Sequence, residues 1–151
     1  VRLEIKIMTQ NDTDTVSRLV EIETDAFGPN GLSEWEIVPF IRHGLVIALI
    51  ADDKIIGGAQ FFRDWKHPDH AYLFGIAVDP DYRGKGFGTR FLSDCCLMLK
   101  EQGFKNVELT VDAANHPAVK VYKDKLKFET VGTRLAEYGE GEDRLVMVKA
   151  L

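Results

Sequence analysis

Seven consecutive residues, Arg83-Gly84-Lys85-Gly86-Phe87-Gly88-Thr89, alternate three glycines with two cations. Residues without a Cβ let the backbone approach an anion closely, so several N–H groups can converge on it. Phe87, Phe91, Cys95 and Leu99 then recur every four positions, which is the spacing of a helix face. The N-terminus of that helix adds about half a positive charge to the cradle, and Arg83 and Lys85 supply full charges beside it. The chemistry expected of this loop is phosphate binding. Its spacing narrows the ligand, because a Gly-x-x-x-x-Gly-Lys-Ser/Thr triphosphate loop is absent and no third glycine follows at the Gly-x-Gly-x-x-Gly interval of a dinucleotide fold.

Other chemistry-bearing residues are weaker by themselves. His67 and His70 flank Pro68-Asp69, but a His-x-x-His pair with no further ligand nearby reads as a solvated loop, and no metal is expected. Cys95 and Cys96 are sequence neighbours, which cannot close a stabilising loop and have no second pair for zinc. Glu21, Glu23, Asp25 and Glu34 bracket one interhelical loop, and Glu137, Glu140, Glu142 and Asp143 crowd the last turn. Singly these are solvated charges. Tyr122 reads by itself as a core tyrosine on an amphipathic helix.

The elements that must position the loop are legible from local signals. Leu3, Ile5 and Ile7 alternate as a strand, and Asn11 or Asp12 offers an N-cap to a helix with Val16, Leu19 and Val20 on one face. Phe27-Gly28-Pro29-Asn30-Gly31 ends that helix. Ser33 and Glu36 form a capping-box signature for a second helix, which Pro39 is expected to kink or restart. Leu45 to Ala51 and Ile55 to Phe62 read as a hairpin, Tyr72 to Val78 as a strand entering the glycine loop, and Val107 to Val111 as another strand. Pro117 opens a short helix through Leu126, and Phe128 to Leu135 pairs with Leu145 to Val148. The order β-α-α-β-β-β-α-β-α-β-β implies a mixed sheet covered by helices.

The 151 residues and 17.0 kDa suit one domain, with no repeat or linker to divide residues 1–151. Nineteen Lys and Arg against twenty-four Asp and Glu give a net charge of −5, which argues against nucleic acid and anionic lipid as partners. The longest apolar run, Leu45 to Ala51, is far short of the roughly 18–20 residues of a membrane-spanning helix. The first residues alternate apolar and charged side chains instead of forming the apolar core of a signal peptide, so a cytoplasmic chain is expected.

Arg83-x-x-Gly86-x-Gly88, entered from Ile76-Ala77-Val78-Asp79-Pro80, resembles the pyrophosphate-binding motif of the GNAT superfamily of N-acetyltransferases. Asn115-His116-Pro117-Ala118-Val119-Lys120-Val121-Tyr122, followed by Leu126-Lys127-Phe128, is similar to that family's second acetyl-CoA segment. Lys127 stands where the family usually has glycine, and Tyr72 where several relatives carry a glutamate base. The element order agrees along the whole chain. The resemblance implies an α/β fold: a single GNAT-type domain over residues 1–151, with a mixed central sheet of about seven strands flanked by about four helices.

It further implies transfer of an acetyl group from acetyl-CoA to a primary amine by direct attack in a ternary complex. The backbone of Arg83, Gly84, Lys85, Gly86, Phe87, Gly88 and Thr89 would cradle the pyrophosphate. Ile76, Ala77 and Val78 would hold the pantetheine arm as an added strand does, with Asn115 and Val119 also facing the cofactor. An N–H near Ile76 would steady the oxyanion, and Tyr122 would protonate the departing thiolate. The resemblance places both acidic clusters around the acceptor pocket, so a cationic small-molecule amine is expected. Acetylation of a protein or peptide amine, an α-amine as in the ribosomal-protein acetyltransferases or a lysine, and a non-catalytic acyl-CoA-binding sensor stay open. Many relatives are dimers, and a homodimer stays open too.

Overall fold

Apolar residues that alternate with charges form β1 (Leu3–Ile7), whose burial alternates in step in a computed structural model describing Val1–Leu151. Asp12, of the two candidates, is the cap of α1 (Thr13–Phe27), and its carboxylate accepts from the Thr15 N–H at 2.9 Å. Val16, Leu19 and Ile22 make the buried face of α1. Ser33 and Glu36 close the expected capping box at the head of α2 (Glu34–His43).

Pro39 lies inside α2, which runs through it, so of the expected kink or restart the restart does not occur. An internal proline costs about 3 kcal/mol. Ile37, Phe40 and Ile41 are buried on the same helix, and each such side chain contributes about 1.5–3 kcal/mol, so their burial outweighs the lost hydrogen bond.

β2 (Leu45–Ala51) and β3 (Lys54–Arg63) pair antiparallel around a two-residue turn, with Ala51 opposite Lys54. Asp52 and Asp53 adopt φ of 48° and 69°, the left-handed pair that matches the twist of a hairpin. The Arg2 N–H and guanidinium donate to these two carboxylates, each at 3.0 Å. β4 (His70–Val78) follows, then a tight turn at Pro80–Tyr82, α3 (Phe87–Glu101), β5 (Asn106–Asp112), α4 (His116–Lys120), β6 (Glu129–Arg134) and β7 (Arg144–Ala150). The seven strands form one sheet in the order β1-β2-β3-β4-β5-β7-β6.

The chain clusters into two compact units, Val1–Phe62 with Phe74–Cys95, and Arg63–Leu73 with Cys96–Leu151. In the first, Met8, Val16, Leu19, Ile37, Phe40, Ile41, Val46 and Ala48 form a core over which α1 and α2 pack on β2. In the second, β4 pairs parallel with β5 from His70–Asn106 to Tyr72–Glu108, and β7 lies antiparallel between β5 and β6. Its buried residues include Phe104, Val107, Leu109, Phe128 and Met147. β6 is exposed along its length, and its register shifts between Thr130 and Gly132.

The helix expected from Pro117 through Leu126 is two structures. α4 stops at Lys120, and Val121–Lys125 continues as a π-helical turn in which the Leu126 N–H donates to the Val121 carbonyl at 3.1 Å. Lys127 follows at φ 63°, a left-handed conformation that favours glycine. Two bonds hold the turn: Phe128 N–H to the Tyr122 carbonyl at 2.9 Å, and Lys149 Nζ to the Leu126 carbonyl at 2.7 Å. No helix is long and apolar enough to cross a membrane.

Candidate active site

The glycine loop hangs between two anchored ends. At its entry Val78 and Asp79 are buried, and the Asp79 N–H donates to the Ile56 carbonyl at 2.7 Å. Asp79 also accepts from the Asp81 N–H at 2.8 Å and forms an ion pair with Arg18 of α1. Arg18 donates in addition to the Ile55 carbonyl at 2.8 Å, so one guanidinium ties α1 to both β3 and the end of β4. This pairing holds the Asp79 carboxyl below its ordinary value.

Past that anchor the loop is open. Gly84 and Gly86 adopt φ of 74° and 78°, and a Cβ at either would point into empty space. Gly88 faces Val78 more closely, at 3.8 Å for an added Cβ. The Gly86 carbonyl accepts from the Arg90 N–H at 3.1 Å, so the bonds of α3 begin at once, and the N–H groups of its first turn have no partner within the helix. Left-handed glycines, open space and helical amides without an intrahelical partner are an arrangement that could hold an anion such as a pyrophosphate. The cations are less free than the sequence suggests. Arg83 Nε donates to the Val78 carbonyl at 2.8 Å, and Lys85 Nζ sits 5.8 Å from the Tyr82 ring centroid.

On β4, Ile76 is half-buried and Ala77 is buried. Phe74 packs against Phe62 of β3, while a Cβ on the adjacent Gly75 would stand 3.1 Å from Gln60 Oε1, also of β3. Gln60 and Phe62 alternate onto one face, so successive β4 residues face the same way, which an unbulged strand does not do. Gln60 is 1% exposed, and its Oε1 has no hydrogen-bond partner. Its side chain bonds Glu23 of α1, itself 3% exposed, whose carboxylate also accepts from the Leu32 N–H at 3.2 Å. A carboxylate accepts only from the amide nitrogen, so Glu23 orients Gln60 with its oxygen towards Gly75.

The remaining predicted residues form a second group around α4. Asn115 caps α4, accepting from the Ala118 N–H at 3.3 Å, which gives it a structural task besides any contact with cofactor. Val119 is half-buried on α4, and Tyr122 is half-buried in the π-helical turn with its ring 6.0 Å from that of Phe128. Burial pushes the Tyr122 phenol above its ordinary value. Tyr72 of β4 shares a hydrogen bond of 3.0 Å with Thr110, and burial also raises its phenol. His70 pairs with Glu108 at 3.1 Å, and Glu108 also pairs with Arg134 at 3.1 Å.

The acidic clusters differ most from expectation. Glu23 leaves the rim altogether, because it lies on the buried stripe of α1 with Val16, Leu19 and Ile22. That was readable in the sequence, where position 23 continues the helical spacing of 16 and 19. Glu21 pairs with Arg18 at 3.3 Å, Glu137 with Arg134 at 3.3 Å, and Glu142 with Arg144 at 2.9 Å. Asp143 accepts from the Ala136 N–H at 2.8 Å. Arg18, Gln60 and Thr110 carried no local signal, since each acquires its role from a partner 38 to 61 residues away or across two elements.

A model of the acetyltransferase (GNAT) family matches residues 16–128. The chain is 31% identical over 142 residues to Acetyltransferase ECA0875 of Pectobacterium atrosepticum, spanning 89% of this chain and 97% of that protein. It is 32% identical over 111 residues to N-alpha-acetyltransferase daf-31 of Caenorhabditis elegans, spanning 70% of this chain. The chain spans 55%, 61% and 35% of the length of its Bacillus subtilis, Caenorhabditis elegans and Saccharomonospora viridis relatives. Among solved structures, the ribosomal-protein-S18-alanine N-acetyltransferase of Escherichia coli superposes with a TM-score of 0.78 at 26% identity, over 97% of this chain and 94% of that one.

Proposed function

Because the chain belongs to the acetyltransferase (GNAT) family, we propose that it transfers the acetyl group of acetyl-CoA to a primary amine by direct attack in a ternary complex. The observation that carries this reading is the open loop at the head of α3, where Gly84 and Gly86 hold left-handed backbone and leave room for phosphate oxygens. Backbone groups from Arg83 to Thr89 bind the pyrophosphate, and those of Ile76, Ala77 and Val78 bind the pantetheine arm, with Asn115 and Val119 completing the cofactor site. The thioester supplies an electrophilic carbonyl. A neutral amine attacks that carbon, the carbon–sulfur bond breaks, and the proton lost by the amine passes to water. The Ile76 N–H steadies the developing oxyanion, and the Tyr122 phenol gives its proton to the leaving sulfur. Burial of Tyr122 supports that role, since a raised phenol keeps its proton through neutral pH.

The acceptor is an amine, and a cationic one is supported by the exposed carboxylates of Glu21, Asp25 and Glu34 on the α1–α2 side. The pairing of Glu21 with Arg18 reduces that charge. A second reading, acetylation of a peptide α-amine, is supported by likeness to the Escherichia coli enzyme named for ribosomal protein S18 alanine. A turnover screen that reads thiol release from acetyl-CoA with polyamines, neutral amines and short peptides separates these. Amine-dependent release is expected. Peptides exceeding every small amine would select the second reading, and cofactor binding without any release would make the chain an acyl-CoA sensor.

A further inference from the structure

Three phenylalanines from three elements meet on one surface. Phe40 of α2, Phe62 at the end of β3 and Phe74 of β4 stand with ring centroids 4.7, 5.3 and 5.6 Å apart, Phe62 and Phe74 edge to face. Phe40 is 8% exposed and backs the other two, which are 44% and 47% exposed. Single exposed apolar residues are ordinary, whereas two half-exposed rings seated on a buried third make a firm apolar surface whose outer faces still meet water. The rings are held by their mutual packing, so a partner meets them already ordered.

Their position along β4 gives the surface a use. Phe74 precedes Ile76 by two residues and Val78 by four, and the strand then enters the glycine loop. At about 3.3 Å per residue, less across the bulge at Phe74–Gly75, Phe74 lies at most about 7 Å beyond Ile76 on the side away from the glycine loop. With phosphates at the loop and the thioester at Ile76, the acceptor reaches the thioester from the Phe74 end. The atoms attached to the reacting amine then fall within one side chain's length of the rings.

We propose that Phe62 and Phe74, backed by Phe40, select an acceptor that carries an apolar group next to its reacting amine. This rests on the acetyl-transfer reading above and extends it from amines in general to amines with an apolar neighbour. Burial of one such group against an apolar wall discriminates by about 10–200-fold, more than a screened surface carboxylate supplies.

The test compares two tetrapeptides that differ only at the first residue, leucine against serine, with wild type and with Phe62→Ala, Phe74→Ala and Phe74→Leu. Wild type is expected to favour the leucine-led peptide in kcat/KM by about 10-fold or more. Either alanine variant should lose most of that preference through the leucine-led peptide alone, and Phe74→Leu should restore part of it. Acetyl-CoA affinity by calorimetry and the melting temperature show that each variant is folded and loaded. Equal use of the two peptides by wild type, or equal loss on both in the variants, overturns the proposal. So does a dimer in sedimentation that Phe74→Ala dissolves, since the patch would then be covered by a second copy. Absence of acetyl-CoA binding by wild type overturns the acetyl-transfer reading itself, a result distinct from turnover without preference.

Discussion

Tyr122 and Glu23 show how burial acts on one side chain at a time. Tyr122 sits in a π-helical turn, a form often found where a side chain is aimed at a function, and burial raises its phenol above the ordinary value. Tyr122→Phe should lower kcat by about 10² to 10⁴ with acetyl-CoA affinity nearly intact. Tyr72→Phe should do less, because the Tyr72 hydroxyl is already shared with Thr110. Steady-state kinetics beside calorimetry check both, and an unchanged kcat removes Tyr122 from the mechanism. Glu23 is raised above its ordinary value chiefly by burial, so the folded chain holds that proton more tightly than the unfolded chain does. Stability therefore falls as pH rises from the unfolded value through the folded one, and stays lower above it. Glu23→Gln removes the titrating group and keeps an acceptor for the Leu32 N–H. Its melting temperature should exceed that of wild type at pH 7 and converge with it at about pH 4. A variant less stable at both pH values would mean that the lost hydrogen bonds outweigh the relief of burial.

At the scale of elements, the glycine loop depends on α1 through a single ion pair. Arg18 joins the Asp79 carboxylate and the Ile55 carbonyl, so α1 adds a side-chain tie to a loop entry that the Asp79 N–H already anchors to the Ile56 carbonyl. Removing one partner of a largely buried pair costs about 3 kcal/mol, because the other charge is left uncompensated. Arg18→Ala should lose about that much stability in urea denaturation at pH 7 and bind acetyl-CoA more weakly. The sign with pH is opposite to that of Glu23. The folded value of Asp79 is depressed, so its contribution is present above the unfolded carboxylate value and is lost as pH falls through the folded one. The gap between wild type and Arg18→Ala should close in acid. A gap unchanged with pH would assign the loss to packing of the Arg18 stem.

For the whole molecule, ligand binding and stability are the same measurement. A ligand that binds only the folded chain adds about 2.7 kcal/mol at one hundred times its dissociation constant. Acetyl-CoA should therefore raise the melting temperature, with a chelator present or absent, and NAD should leave it unmoved. Gly86→Val should abolish the shift, since its Cβ would project into the cradle from a backbone at φ 78° that valine rarely adopts. A full acetyl-CoA shift in that variant would place the phosphates elsewhere.

Element order and the open glycine loop were determined by the sequence alone, because both rest on neighbours a few residues apart. Asp12 and Ser33 cap helices through N–H groups two or three residues on, alternation marks β1, and clustered glycines open α3. The same local signals left open a restart at Pro39 that does not occur, in a helix held together by core side chains, and missed that between His116 and Leu126 α4 gives way to a π-helical turn. Only the tertiary structure decided that β7 lies between β5 and β6, that Gln60 is the partner Glu23 meets, and that Phe62 and Phe74 share a surface with Phe40. A charge, a ring or a proline has the same local signature wherever it lies. Whether it is buried, paired or exposed depends on which distant segment packs against it, and that is settled by the burial of the chain as a whole.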